Sequence, residues 1–272
     1  MNYVGDIDPS PSIFGPSFGY TRYNIGVELV RRQSPHWSYR AALSYGRMGG
    51  SDHMNASYND HDIYRRARNL SFRNQIVELK ADVVFDIFGN RAHYRKRHDY
   101  TPYLFMGIAY FHHSPQAKTP DSFGGHWIDL RPLKTEGNVY SLNQVAIPVG
   151  MGFRYKVGKR WDLAFEMGWR FTLTDYLDDV SGTYVDRGTF GDNPLAVAMA
   201  DRSMEALPND PALEDWVNTS QGYNTSDGYT TVNGYGREGN QRGDKTHKDV
   251  YIVSGFHLTY ILDKGVKCPP KF

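Results

Sequence analysis

Between residues 161 and 173 the side chains alternate in character without a break. Odd positions read Trp161, Leu163, Phe165, Met167, Trp169, Phe171 and Leu173; even positions read Asp162, Ala164, Glu166, Gly168, Arg170 and Thr172. Successive side chains of a β-strand point to opposite faces, so this order gives one apolar face and one small or charged face. A helix, with its 3.6-residue turn, would scatter both sets around its surface. The segment is predicted to be a strand.

The pattern recurs along the chain. Trp37, Tyr39, Ala41, Leu43 and Tyr45 alternate with Ser38, Arg40, Ala42, Ser44 and Gly46. Val77, Leu79, Ala81, Val83 and Phe85 alternate with Glu78, Lys80, Asp82 and Asp86, broken only by Val84. Residues 144–155 and 250–262 repeat the theme, and residues 20–29 and 100–111 show it more weakly. Residues 2–7 read as a first strand whose start is missing. Eight strands are therefore expected. Met1-Asn2-Tyr3-Val4-Gly5 has neither the basic start nor the apolar run of an export signal, so a mature or trimmed form is expected.

A soluble sandwich also alternates, but its polar face meets water. Here that face mixes glycine and alanine with charges of both signs, as a crowded interior would. Arg22, Arg40, Lys80, Arg154 and Arg170 stand against Glu28, Glu78, Asp82, Asp162 and Glu166. An eight-stranded barrel is just wide enough for its interior to be filled by side chains. The expected fold is thus all-β: an eight-stranded antiparallel transmembrane β-barrel with long extracellular loops, its lumen plugged by ion pairs. No run approaches the roughly 18 apolar residues of a membrane helix, and that excludes helical spans only.

Connection lengths point the same way. The links at residues 32–36 and 157–160 are short and that at 89–99 intermediate; those at 49–69, 114–140 and 177–248 are long. Short and long alternate, as periplasmic turns and outer loops do in outer-membrane barrels. Trp37, Tyr100 and Trp161 fall at strand ends on the short-turn side, as an interfacial girdle requires. Residues 1–272 read as one barrel domain with a long loop insertion at about 177–248. Within it, Asp192-Asn193-Pro194 reads as a helix start. The Gly-, Tyr- and Asn-rich stretch after Trp216 is expected to be mobile or ordered only by a partner.

Composition excludes several functions. With 31 basic and 30 acidic residues the net charge is +1, so no bulk attraction to nucleic acid is implied. Cys268 is the lone cysteine, and no zinc spacing or cofactor motif is present. Asp175, Asp178, Asp179 and Asp186 cluster where a strand ends, a set that could hold calcium but lacks EF-hand spacing. Arg65, Arg66 and Arg68 are placed to pair with them. Adjacent His112 and His113 point to opposite faces, and Asp60-His61-Asp62 is a loop triplet. Asp52, His53, Asp175 and Asp179 are the candidates for a catalytic rim, though nothing in their spacing selects them. The chain is expected to be non-enzymatic and without cofactor. Arg91, Arg95, Lys96, Arg97 and His98 form a basic turn which, with Arg32 and Lys159 on the other short turns, is the candidate docking face for a periplasmic partner.

Several segments resemble a known family. These are residues 130–137 (Leu-Arg-Pro-Leu-Lys-Thr-Glu-Gly), 140–142, 147–150, 68–72 and 174–185, the last containing Thr174-Asp175-Tyr176-Leu177-Asp178-Asp179. Tyr3-Val4-Gly5-Asp6 and Arg22-Tyr23-Asn24 look like its first two strands. The chain is similar over nearly its whole length, the loop after Val185 excepted, to a Bacteroidota outer-membrane β-barrel family that includes PorG, a type IX secretion system component. The resemblance implies an outer-membrane location, with loops extracellular and the short turns and C-terminus periplasmic. It also implies contact with outer-membrane lipid and a role in anchoring the periplasmic PorK–PorN ring. A surface binding or adhesion barrel that uses its long outer loops is the alternative.

Overall fold

The computed structural model describes residues 1–7, 21–55, 62–90 and 96–262. The strands are β1 (Asn2–Val4), β2 (Asn24–Arg32), β3 (Trp37–Ser51), β4 (Ser71–Asp86), β5 (Tyr100–Lys118), β6 (Trp127–Asp129), β7 (Asn143–Lys156), β8 (Trp161–Thr172), β9 (Tyr223–Asn224), β10 (Thr231–Val232) and β11 (Val250–Tyr260). All pairings are antiparallel, in the order β1-β11-β8-β7-β5-β4-β3-β2, with β6 added on β5. Each of the eight strands expected from alternation lies on this path. The short links sit at one end of the sheet, the long ones at the other. No helix among the described residues is long and apolar enough to cross a membrane.

The sheet curls, because side chains from strands distant in its order meet. Arg40 on β3 reaches Glu166 on β8 at 2.5 Å, and the Tyr251 hydroxyl on β11 donates to Glu78 on β4 at 2.6 Å. The concave face holds the charged set and the convex face the apolar set, as period two dictates. Along β8 every even residue is buried, while Trp161, Leu163, Phe165 and Phe171 are exposed. Glycines on the concave face make room for a large ring. Gly150 and Gly168 are cross-strand partners, and a Cβ on either would lie 2.4 or 2.6 Å from Phe105 Cζ. Phe105 in turn lies under the Arg40 guanidinium (4.6 Å) and the Lys80 ammonium (5.2 Å), a cation–π arrangement.

The two ends of the sheet path meet only in part. β1 covers Val250–Ile252 of β11, and Met1 exchanges two backbone hydrogen bonds with Arg22, just before β2 (2.7 and 3.1 Å). Farther toward the short-turn end, the outer edges of β11 and β2 have no ladder partner among the described residues. Even so, His257 Nδ1 on β11 lies 3.3 Å from a Glu28 carboxylate oxygen on β2.

A cap covers the long-loop end. It comprises α1 (Asp52–Asn55), α2 (Ile63–Arg68), α3 (Pro194–Ala200), α4 (Ser203–Ala206), α5 (Pro211–Trp216) and the β9–β10 hairpin. The expected helix start holds: Asn193 caps α3 by accepting from the Ala196 amide, with Pro194 in the first turn. The helix ends at Ala200, with Asp201 as its C-cap. The stretch after Trp216, expected to be mobile or partner-ordered, has a defined path instead. Val217, Val232 and Tyr235 bury themselves against Leu207, Leu213 and Ile63, giving the cap its own apolar centre. Composition misled because three anchors are enough to order a chain otherwise rich in Gly and Asn.

Candidate functional site at the mouth of the sheet

The Thr174–Asp179 run leaves β8 and turns inward across the opening of the curled sheet. Leu177 is fully buried, and the Asn74 side chain on β4 donates to its carbonyl at 2.6 Å. Asp178 and Asp249, each 1 % exposed, face one another across the Tyr3 hydroxyl, at 2.7 and 2.6 Å. That hydroxyl has one proton and also accepts from the Asp6 amide. It can donate to one carboxylate only, so the other must itself carry a proton. Burial pushes both carboxyls well above the usual range; repulsion from Asp249 and Asp6 adds to it at Asp178, and repulsion from Asp175 and Asp6 at Asp249. The pair holds a proton as a unit. The backbone amides of Leu177 and Val180 satisfy the remaining oxygens, Asp249 Oδ2 and Asp178 Oδ1, and the Ile7 amide adds a second bond to Asp178 Oδ2.

Asp179 adopts a left-handed backbone (φ 68°), a strained choice for a non-glycine residue. Its carboxylate accepts from Thr135 Oγ1 (2.5 Å) and the Tyr140 hydroxyl (2.6 Å), and its carbonyl accepts from Arg242 (2.6 Å). Burial raises its pKa to about 6, against the pull of Arg242. Arg242 also holds Glu136 at 3.0 Å, and Glu136 accepts from the amides of Ser181 and Gly182. Tyr140 stacks on Tyr176 with ring centroids 4.6 Å apart. Asp175 accepts from the Ser181 hydroxyl at 2.6 Å. Residues 3–6, 68–72, 130–137 and 174–185, far apart in sequence, thus converge on one lock. Arg68 completes it, holding Asp52 at 2.8 Å and the carbonyls of Arg242 (2.5 Å) and Asp6 (2.6 Å).

Among the described residues no group of three acidic or histidine side chains is arranged to hold a metal ion. Asp178 and Asp179 spend both oxygens on protein donors, whereas Asp175 accepts from Ser181 through Oδ2 and its buried Oδ1 has no partner among the described residues. Arg65, Arg66 and Arg68 pair with Asp62, Asp210 and Asp52, not with the aspartates of the 175–186 cluster, because α2 carries them to the cap side. Asp52 is fully buried under Arg68, and the carbonyl of His53 accepts from Arg66. Asp60 and His61 lie outside the described residues, as does Cys268. Mouth residues with no signal of their own in the sequence include Asp249, which sits directly before the β11 alternation, and Arg242, in a Gly-rich stretch.

Below the mouth the interior is ion-paired. Arg40 holds Asp82 (2.7 Å) and Glu166 (2.5 Å); Lys80 lies 3.0 Å from Asp82. Arg170 meets Glu78 at 3.5 Å, and Arg154 meets Asp86 at 3.2 Å. Arg22, expected among these, is exposed instead, because it precedes β2 and lies off the concave face. Its place is taken by Arg97, assigned from sequence to the docking turn. Arg97 is buried, bonds Asp162 at 2.5 Å and caps the carbonyls of Gly158 (2.8 Å), Lys159 (3.2 Å) and Trp161 (3.0 Å). It ties two short-turn links together. The void beside it is ≈ 20 Å3, room for one water. Lys96, His98 and Lys159 remain exposed at this end and Arg32 is half-buried. Arg91 and Arg95 lie outside the described residues.

The geometry is that of a curled antiparallel sheet, polar within and apolar without, locked at one end by an acidic motif. The chain belongs to the family described as a domain of unknown function (DUF6089), which matches residues 1–187 and so ends inside the loop after β8. Comparison with curated proteins and with solved structures gives no match.

Proposed function

We propose that the sheet closes into an eight-stranded barrel in a bacterial outer membrane and that the protein is a non-enzymatic anchor. It would hold the periplasmic PorK–PorN ring of a type IX secretion system through its short turns. One observation carries the membrane reading: the apolar face of the long strands of the sheet path points outward and is largely uncovered, Ile252 beside β1 excepted. Leu29 is 78 % exposed, Phe256 76 % and Leu258 67 %. Soluble monomers rarely leave such contiguous surface bare. From Trp161 to Phe171 the belt runs about 33 Å along the strand at about 3.3 Å per residue. At the usual tilt that is about 25 Å of height, the apolar band of an outer-membrane barrel. Trp37, Tyr100, Trp161 and Tyr260 border it at the short-turn end, each about half exposed. Closure is favoured by the Met1–Arg22 and His257–Glu28 contacts. It is also favoured by the cost of leaving strand edges unpaired in lipid.

The anchoring role rests on the family resemblance and on the basic residues left exposed at the short-turn end. The test is Lys96→Glu with Lys159→Glu and Arg32→Glu. The barrel should still fractionate with outer membranes while ring proteins no longer co-purify from detergent extracts. Undiminished co-purification would reject the assignment, and a protein found in the soluble fraction would reject the membrane reading. The second reading, a surface binding barrel, is favoured by the cap, which is structured and holds an open cleft. Deletion within residues 203–240 should spare an anchor and disable an outer binder.

A further inference from the structure

The cap contains a cleft of ≈ 350 Å3, within the range of small-molecule sites. Phe123, Phe190 and Met204 supply apolar walls. Three polar groups on the lining are not accounted for by the fold. Tyr184 and Thr231 are 2 % and 3 % exposed, yet their hydroxyls have no hydrogen-bond partner among the described residues. Buried polar groups are ordinarily bonded. Asp201, at the end of α3, accepts from the Ser203 amide at 3.0 Å and makes no ion pair among the described residues. The cations that act on it from a distance are engaged elsewhere: Arg242 by Glu136, and Arg187 over the Tyr229 ring at 4.3 Å. Gly236 (φ +65°) keeps room for the Asp201 carboxylate, since a Cβ there would lie 2.1 Å from Oδ2.

We propose that this cleft binds a compact organic cation, an ammonium or guanidinium group on an apolar stem. The charged head pairs with the Asp201 carboxylate on the cleft lining. The stem lies against Phe123, Phe190 and Met204. An anion would meet Asp201 unfavourably, and a neutral ligand would leave a desolvated carboxylate without a counter-charge. The same head group occurs on free amines and on lysine or arginine side chains of a peptide. The inference concerns the cap alone and holds whether or not the sheet closes or spans a membrane.

The test titrates the purified protein with phenethylammonium and with its uncharged counterpart 2-phenylethanol, followed by calorimetry or by NMR. Saturable binding with at least about a tenfold preference for the cation is expected. Asp201→Asn should erase the preference. Acetyl-Gly-Lys-Gly-amide, compared with its norleucine counterpart, separates the sources. Tighter binding than the amine marks a peptide-borne cation, weaker binding a free one, and either result supports the site. Equal binding of amine and alcohol by the unaltered protein overturns the proposal without recourse to any variant. So does a preference that persists in folded Asp201→Asn, or no saturation by either probe below about 10 mM.

Discussion

The middle of the curled sheet and its mouth both bury carboxylates, and they accommodate them in opposite ways. In the middle, Asp82, Glu166 and Glu78 each meet a guanidinium or ammonium group. At the mouth, Asp178 and Asp249 meet hydroxyl, amide and one another. The first arrangement balances charge with charge. The second balances it with a retained proton. One region therefore depends on keeping its partners, and the other on the acidity of its surroundings.

The sharpest way to break this contrast is Arg40→Met. It leaves Asp82 and Glu166 buried without their main cation and should cost about 3–5 kcal/mol, read from urea unfolding in detergent. A loss below about 1 kcal/mol would mean that the middle is not held by pairing. Next in size is a charge on the convex face. Val149→Arg should cost about 2–4 kcal/mol when unfolding is measured from a bilayer. The same change on a water-facing sheet would cost little, so the result separates the two environments.

The mouth should respond to pH with a definite sign. Asp6 and Asp179 are both raised to about 6 from 3.8, and Asp178 and Asp249 further. The folded state binds more protons than the unfolded one above pH 3.8, so stability is full below that pH. It then falls as pH rises through about 6 and beyond. Asp178→Asn removes one of the coupled carboxyls and should flatten that decline, with a gain on the order of 1 kcal/mol at pH 8. A decline of unchanged slope in thermal melts across pH 5–8 would place the titrating groups elsewhere. The smallest expected effect is Tyr140→Phe, which deletes one donor to Asp179 and should cost about 1 kcal/mol.

How much of this the sequence could announce depended on range. The strands were readable because alternation is local, so Trp161 through Phe171 state their own geometry. The interior pairing was readable as a list of charges but not as a set of partners. Arg97 looked like one more residue of a basic turn. Only the curl of the sheet, which brings residues 97 and 162 together, assigns it to the concave interior. The lock at the mouth was the least accessible. Thr174–Asp179 stood out as a motif, yet Tyr3, Glu136, Arg242 and Asp249 enter it from four other parts of the chain. No periodicity connects them.

The pairing of residues 2–4 with residues 250–252 also bears on how the protein assembles. Hairpins between neighbouring strands can form as soon as each pair is available, across links of a few to some dozens of residues. The β1–β11 ladder instead closes a loop of about 250 residues and must wait for both ends. Tyr3 has no Asp249 to meet until β11 is in place. The first strand in sequence is therefore among the last to be secured in time. Damage near either end should surface first as slow or stalled folding, before it is seen as lost stability in molecules that have finished.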